Sequence, residues 1–106
     1  WYLPGGGVQR NETLEQAARR EAAEELGAQL GPLVLHGVYS NFFEFKSDHV
    51  IVFRCDEVTL GEARDGEIEA RQWFPLRAPP AGISPGSLRR LHELAAPAGG
   101  PYVGRW

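Results

Sequence analysis

The chain has 106 residues, 42 % of them hydrophobic, and a formal net charge of −3. That fits one small domain with a modest core and excludes a general affinity for the nucleic-acid backbone, which needs clustered Lys and Arg. No run approaches the roughly 18 apolar residues of a membrane helix, no signal segment is recognisable, and the single cysteine, Cys55, cannot form an internal disulfide; the cytoplasm is the expected compartment.

In chain order, "WYLPGGGV" reads as a strand end running into a loop, where Gly5 to Gly7 open backbone conformations closed to other residues. Thr13, followed three residues later by Gln16, forms a capping-box pattern. The alanine-rich run behind it predicts a helix from Leu14 to Leu26, with Gly27 as its C-cap. After the Gly31-Pro32 break, "LVLHGVYSNFFEF" and "HVIVFRCDEV" have the β-branched and aromatic content of strands, and "RQWFPL" reads as a shorter one. The stretch from Gly61 to Gly66 reads as a loop delivering "EIEA" to that last strand. In "SPGSLRRLHELAA", Ser84 is the expected N-cap and Pro85 the first position of a helix ending at Ala95. "PAGGPYVGRW" reads as an irregular tail.

The first helix poses the chemical question. Glu21, Glu24 and Glu25 are three and four positions apart and share one face, an arc of roughly 100°. Leu14, Ala17 and Ala18 fall on the same arc, whereas a merely solubilising face would sit across the helix from its apolar stripe. Carboxylates crowded at the edge of a core cost stability unless a cation lies between them, and magnesium or manganese, which take oxygen ligands, fit that need. A solvated acidic face is the alternative. Alanines at 17, 18, 22 and 23 either keep the helix slim for a close neighbour or simply favour helix formation. Backbone groups of Gly5 to Gly7, just ahead, can face a metal or a phosphate. Glu12 and Arg20 are eight positions apart, close enough for a looped-back ion pair that fixes the loop on the helix.

His36, His49 and His92 read as surface or satisfied core histidines rather than catalysts. Tyr39, Phe42, Phe43 and Trp73 read as core or edge aromatics, with stacking on a base as the alternative, and Cys55 as inert packing.

Gly6, five residues, Glu12, seven residues and then "REAAEELGA" from Arg20 to Ala28 together resemble the Nudix box. Every specified position is met, with Ala22 and Ala28 in apolar slots where bulkier aliphatics are more usual. "WYLPGGGV" and "EIEARQWFPL" extend the resemblance over most of residues 1 to 77; beyond that only a general C-terminal helix is similar. The resemblance implies an α/β/α sandwich with a mixed sheet, one that would lack its N-terminal strands here, since family members carry strands ahead of the "W-x-LPGGG" segment. A homodimer or strand exchange would compensate for the open edge.

The activity implied by the resemblance is magnesium- or manganese-assisted attack of water on the pyrophosphate bond of a nucleoside diphosphate linked to another moiety (NDP-X). Glu24 and Glu25 would coordinate the metal, helped by the Gly6 carbonyl, and Glu21 would be either a further ligand or the base that deprotonates the water. Arg20 and Glu12 would brace loop and helix and complete the catalytic set with Glu21. Some members take another carboxylate from a later loop; Glu67 is the candidate here, with Glu69 behind it, and an ordinary charged loop is the alternative. The rival readings are a nucleotide-binding module without turnover, which need not retain all three glutamates, and an inactive fragment.

Overall fold

A computed structural model describes residues 3–45, 47–61, 72–96 and 99–106. Local chemistry accounts for its first element, helix α1 (Leu14–Leu26). The Gln16 amide donates to the Thr13 hydroxyl at 3.1 Å and the Gln16 side chain accepts from the Thr13 amide at 2.8 Å, closing the expected capping box. Gly27 ends the helix in the left-handed conformation, φ 62°, a geometry that favours glycine.

The chain divides into two compact units. One, residues 3–34 and 54–73 with residues 62–71 outside the description, holds α1 and the strands β1 (Ala28–Leu30) and β4 (Val58–Leu60). β1 pairs antiparallel with β4, Ala28 opposite Leu60 and Leu30 opposite Val58, and the Gly31 amide extends the pairing to the Glu57 carbonyl at 2.7 Å. Arg19 joins the helix to this ribbon by donating to the carbonyls of Leu30 at 2.6 Å and Gly31 at 3.0 Å. Ala17, Ala22 and Ala28 are buried, so small side chains let helix and ribbon approach closely.

The other unit holds most of β2 (Leu33–Asn41) and β3 (Asp48–Cys55), with α2 (Pro85–Ala95) and β5 (Tyr102–Arg105). The sheet order is β3-β2-β5. β5 runs parallel to β2, with Gly37 opposite Tyr102 and Ser40 opposite Arg105. Residues 42–47 alone join β2 to β3, too few for the crossover of a dozen or more residues that parallel neighbours need, so that pair is antiparallel and the sheet is mixed. Among the described residues, two α-helices with a mixed sheet make the α/β class expected. No helix among the described residues is long and apolar enough to cross a membrane.

Several local expectations are corrected. "HVIVFRCDEV" breaks at Asp56 and Glu57, so that only its last residue, Val58, lies in β4, which pairs with β1. In the described part of "RQWFPL", residues 72–76, there is no strand; Pro75 has no N–H for a ladder, and its carbonyl accepts from the Ala78 amide at 3.0 Å in a turn. "LVLHGVYSNFFEF" leaves the sheet after Asn41 and forms a 3₁₀ turn at Phe43–Phe45. Ser84 stands at the N-cap of α2, but its hydroxyl donates to the Ser87 hydroxyl at 2.9 Å instead of capping a backbone amide. The tail is not irregular, because Tyr102–Arg105 completes the sheet and the Trp106 amide bonds to the Ser40 carbonyl at 2.9 Å.

A polar cluster fastens α2 and β5 to β2. Tyr39, only 2 % exposed, donates its hydroxyl to Glu93 Oε1 at 2.6 Å, and His36 Nε2 lies 3.1 Å from the same oxygen. His36 is thus the satisfied core histidine expected. The Arg90 guanidinium lies over the Tyr39 ring, 3.8 Å from its centre, and donates to the main-chain oxygens of Arg105 and Trp106. Its Nε is 2.9 Å from Glu93 Oε1, close enough for an ion pair, although its N–H is not aimed for a hydrogen bond. Burial alone would raise the Glu93 pKa, but the Tyr39, His36 and Arg90 contacts outweigh it and hold the carboxyl below its ordinary 4.5. A lowered carboxyl pKa stabilises the fold above the unfolded value and loses that contribution as pH falls through the folded one. Thermal unfolding followed from pH 7 to pH 3 is therefore expected to show a falling melting temperature below about pH 4.5. Glu93→Gln should lower the neutral-pH value and flatten this acid limb; parallel limbs for the two proteins would contradict the assignment.

Candidate functional site

The site lies within the first unit, where the glycine loop meets α1. Asn11, at φ 63°, turns the chain so that the Gln9 amide donates to Glu12 Oε1 at 2.9 Å and the Glu12 amide donates to the Gln9 carbonyl at 3.2 Å. This turn aims Glu12 back along the helix at Arg20. The guanidinium grips it with two bonds, Nε to Oε2 at 2.7 Å and Nη2 to Oε1 at 3.0 Å, the forked geometry that makes Arg–carboxylate pairs strong. The looped-back pair expected from the sequence is formed.

Arg20 does more than pair with Glu12. Its Nη1 donates to Glu21 Oε1 at 2.7 Å and to Glu24 Oε2 at 3.2 Å, and its Nη2 donates to the Gly7 carbonyl at 2.8 Å. Three carboxylates and a loop carbonyl thus share one guanidinium. The Glu12 and Glu21 side chains are 13 % and 16 % exposed, whereas that of Glu24 is 54 % exposed. The Arg20 hydrogen bond, followed by the Gln9 amide, holds the Glu12 carboxyl below its ordinary range, and Glu12 and then Glu21 keep the Arg20 guanidinium still more firmly protonated.

Glu25 completes the face from the other side of the loop by accepting the Gly5 amide at 3.1 Å. Gly6 meets Glu21 directly, since a Cβ at this position would lie 2.5 Å from the Glu21 carboxyl carbon. Gly7 has nothing within 4 Å of such a Cβ. Gly6→Ala is accordingly expected to displace the Glu21 carboxylate from Arg20 and to destabilise the fold by about 1 kcal/mol, the upper range for a partly exposed ion pair. Gly7→Ala should be nearly neutral by comparison. Chemical denaturation of the two variants checks this, and equal stabilities would contradict the tight Gly6–Glu21 contact.

The structure thus brings together Gly6, Glu12, Arg20, Glu21 and Glu24, with Glu25 tied to the same loop. Among the described residues, no three His, Cys, Asp or Glu side chains converge as a ready-made metal cage; the carboxylates hold the guanidinium and the loop instead. Glu67 and Glu69 lie outside the described residues. Sequence reasoning missed the Arg20–Glu24 pair, whose i,i+4 spacing is a usable signal. It also missed the bonds from the Gly5 amide and to the Gly7 carbonyl, which no side-chain pattern announces. Cys55 is half-buried and its Sγ donates to the Glu57 carbonyl at 3.2 Å, consistent with packing. Trp73, Phe42 and Phe43 are exposed.

Residues 1–94 match the family model described as the NUDIX domain. An oxidized purine nucleoside triphosphate hydrolase of Danio rerio is 39 % identical over 80 residues, covering 72 % of this chain and 49 % of that protein. An 8-oxo-dGDP phosphatase, NUDT18 of Homo sapiens, is 30 % identical over 101 residues, covering 91 % of this chain and 30 % of that protein. The chain therefore spans half or less of the length of these two relatives. Among solved structures, a MutT NUDIX hydrolase from Burkholderia pseudomallei superimposes with a TM-score of 0.76 at 30 % identity, covering 90 % of this chain and 77 % of that one.

Proposed function

The chain belongs to the Nudix family, and on that premise we propose that it is a divalent-metal-dependent hydrolase of NDP-X pyrophosphate bonds. The observation that carries this reading is the cation-binding face of α1, where Glu21 and Glu24 already share a guanidinium and Glu25 is fixed on the glycine loop. Carboxylate oxygens are hard donors and suit magnesium or manganese. Glu24 and Glu25 would hold such a cation, with the Gly6 carbonyl beside them and Glu67 as the candidate for an added ligand. The bound cation would supply positive charge against the diphosphate oxygens and polarise the phosphorus.

The remaining work falls to this chain's own residues. Glu21, held by Arg20 and backed by Gly6, orients the attacking water and takes its proton. Arg20 and Glu12 keep the loop and helix in register, which matters because phosphoryl transfer depends mainly on positioning and charge. Water forms a new P–O bond while the anhydride P–O bond breaks. Each product leaves with one of the two phosphoryl groups, and the proton passes through Glu21 to solvent.

The two relatives are named for oxidised purine nucleotides, which supports a small nucleotide substrate. A nucleoside triphosphate is itself NDP-X with phosphate as X, so both descriptions share one bond type. The cytoplasm, suggested by the single cysteine, supplies such substrates. Mass spectrometry of products from a panel of nucleotides with magnesium tests the assignment. NDP-X compounds are expected to give a nucleoside monophosphate and phosphorylated X, and triphosphates a monophosphate and pyrophosphate. A folded protein that leaves the whole panel intact contradicts it.

A further inference from the structure

We propose that Arg20 is the resident counter-ion of the carboxylate face, and that a divalent cation is taken up by exchange against it at Glu24 while Arg20 keeps Glu12, Glu21 and Gly7. The inference rests on the metal-dependent reading above and adds a determinant of metal affinity to it.

The contacts of Arg20 are graded. Glu12 is held by two bonds at 2.7 and 3.0 Å and is only 13 % exposed. Glu21 is held at 2.7 Å and is 16 % exposed, and the Gly7 carbonyl is held at 2.8 Å. Glu24 has the longest of these contacts, a single bond at 3.2 Å, and its side chain is 54 % exposed. An exposed i,i+4 pair of this kind contributes little and breaks readily, whereas a forked pair shielded from water does not. Glu24 is therefore the arm that leaves. Its departure strands no charge, because Arg20 retains two carboxylates and the freed carboxylate gains a divalent partner.

Arg20 then opposes metal binding in two ways, by competing for Glu24 and by placing a positive charge beside the cation. Glu12 works in the opposite sense, because it draws the guanidinium away from Glu24. Substitution at the two ends of one ion pair should consequently shift metal affinity in opposite directions. A pair that merely braced the loop would give the same direction for both, since either substitution breaks it.

Calorimetric titration of the whole chain with Mn²⁺, without nucleotide, tests this. Arg20→Gln is expected to bind Mn²⁺ roughly tenfold more tightly than the unsubstituted protein, and Glu12→Gln several-fold more weakly. Nuclear magnetic resonance of the unsubstituted protein gives a readout independent of variant folding. On addition of Mg²⁺ the Arg20 Nη1 signal should shift while the Nε signal, held by Glu12, stays. If the unsubstituted protein takes up no Mn²⁺, the metal-dependent reading itself falls. If it does, but both variants shift affinity in the same direction or not at all, or the Nη1 signal does not move, the exchange alone is overturned.

Discussion

Glu24→Gln is expected to lower kcat by about three orders of magnitude while leaving the unfolding transition close to that of the unsubstituted protein. The substitution keeps the size and shape of the side chain but removes the charge that would hold a divalent cation. Its structural cost is small, because it weakens only an exposed single bond of 3.2 Å to Arg20, whose guanidinium retains Glu12, Glu21 and the Gly7 carbonyl. Activity and stability are thus separable at this position. Steady-state kinetics with saturating magnesium, alongside thermal unfolding, makes the comparison. A near-normal kcat would remove Glu24 from the metal site, and a collapsed fold would contradict the exposed placement of its side chain.

Arg90→Ala should produce the largest loss of stability, about 3–5 kcal/mol, the usual consequence of breaking a buried pair from one side. Arg90 is 4 % exposed, packs against both the Tyr39 and Trp106 rings with its guanidinium 3.8 and 5.0 Å from their centres, and bonds to the main-chain oxygens of Arg105 and Trp106. Its removal would leave Glu93 without its closest cation, open a void beside the paired Tyr39 and Trp106 rings and release the end of β5. Urea denaturation measures the change. A cost below about 1 kcal/mol, the range of ordinary surface substitutions, would mean that the ring contacts and carbonyl bonds contribute little.

The sequence and the structure agree most closely where the determining chemistry is local. Helix α1 begins and ends as expected because Thr13, Gln16 and Gly27 act within one turn of its ends, and Pro85 likewise marks the start of α2. The short strands are a different matter. Residues 28–30 and 102–105 carry little strand signal of their own and become strands because β4 and β2 supply their hydrogen-bond partners. The Nudix-like spacing put Glu21, Glu24 and Glu25 on one face and paired Glu12 with Arg20, both of which follow from helix geometry and charge. The Gly5 and Gly7 contacts depend on the path of a loop, and no side-chain pattern encodes them. His36 and Glu93 meet across 57 positions of sequence, and that distance made His36 look isolated.

Metal-dependent hydrolysis is tested most directly by one rate, the release of phosphate from an NDP-X substrate through a coupled phosphatase, measured first with magnesium, then after chelation, then after magnesium is restored. Turnover should be clear with magnesium, fall to background with the chelator and return when the cation is added back. Turnover that persists at full rate in the chelator, or that is absent in all three conditions, would contradict a metal-assisted attack of water organised by Glu21, Glu24 and Glu25.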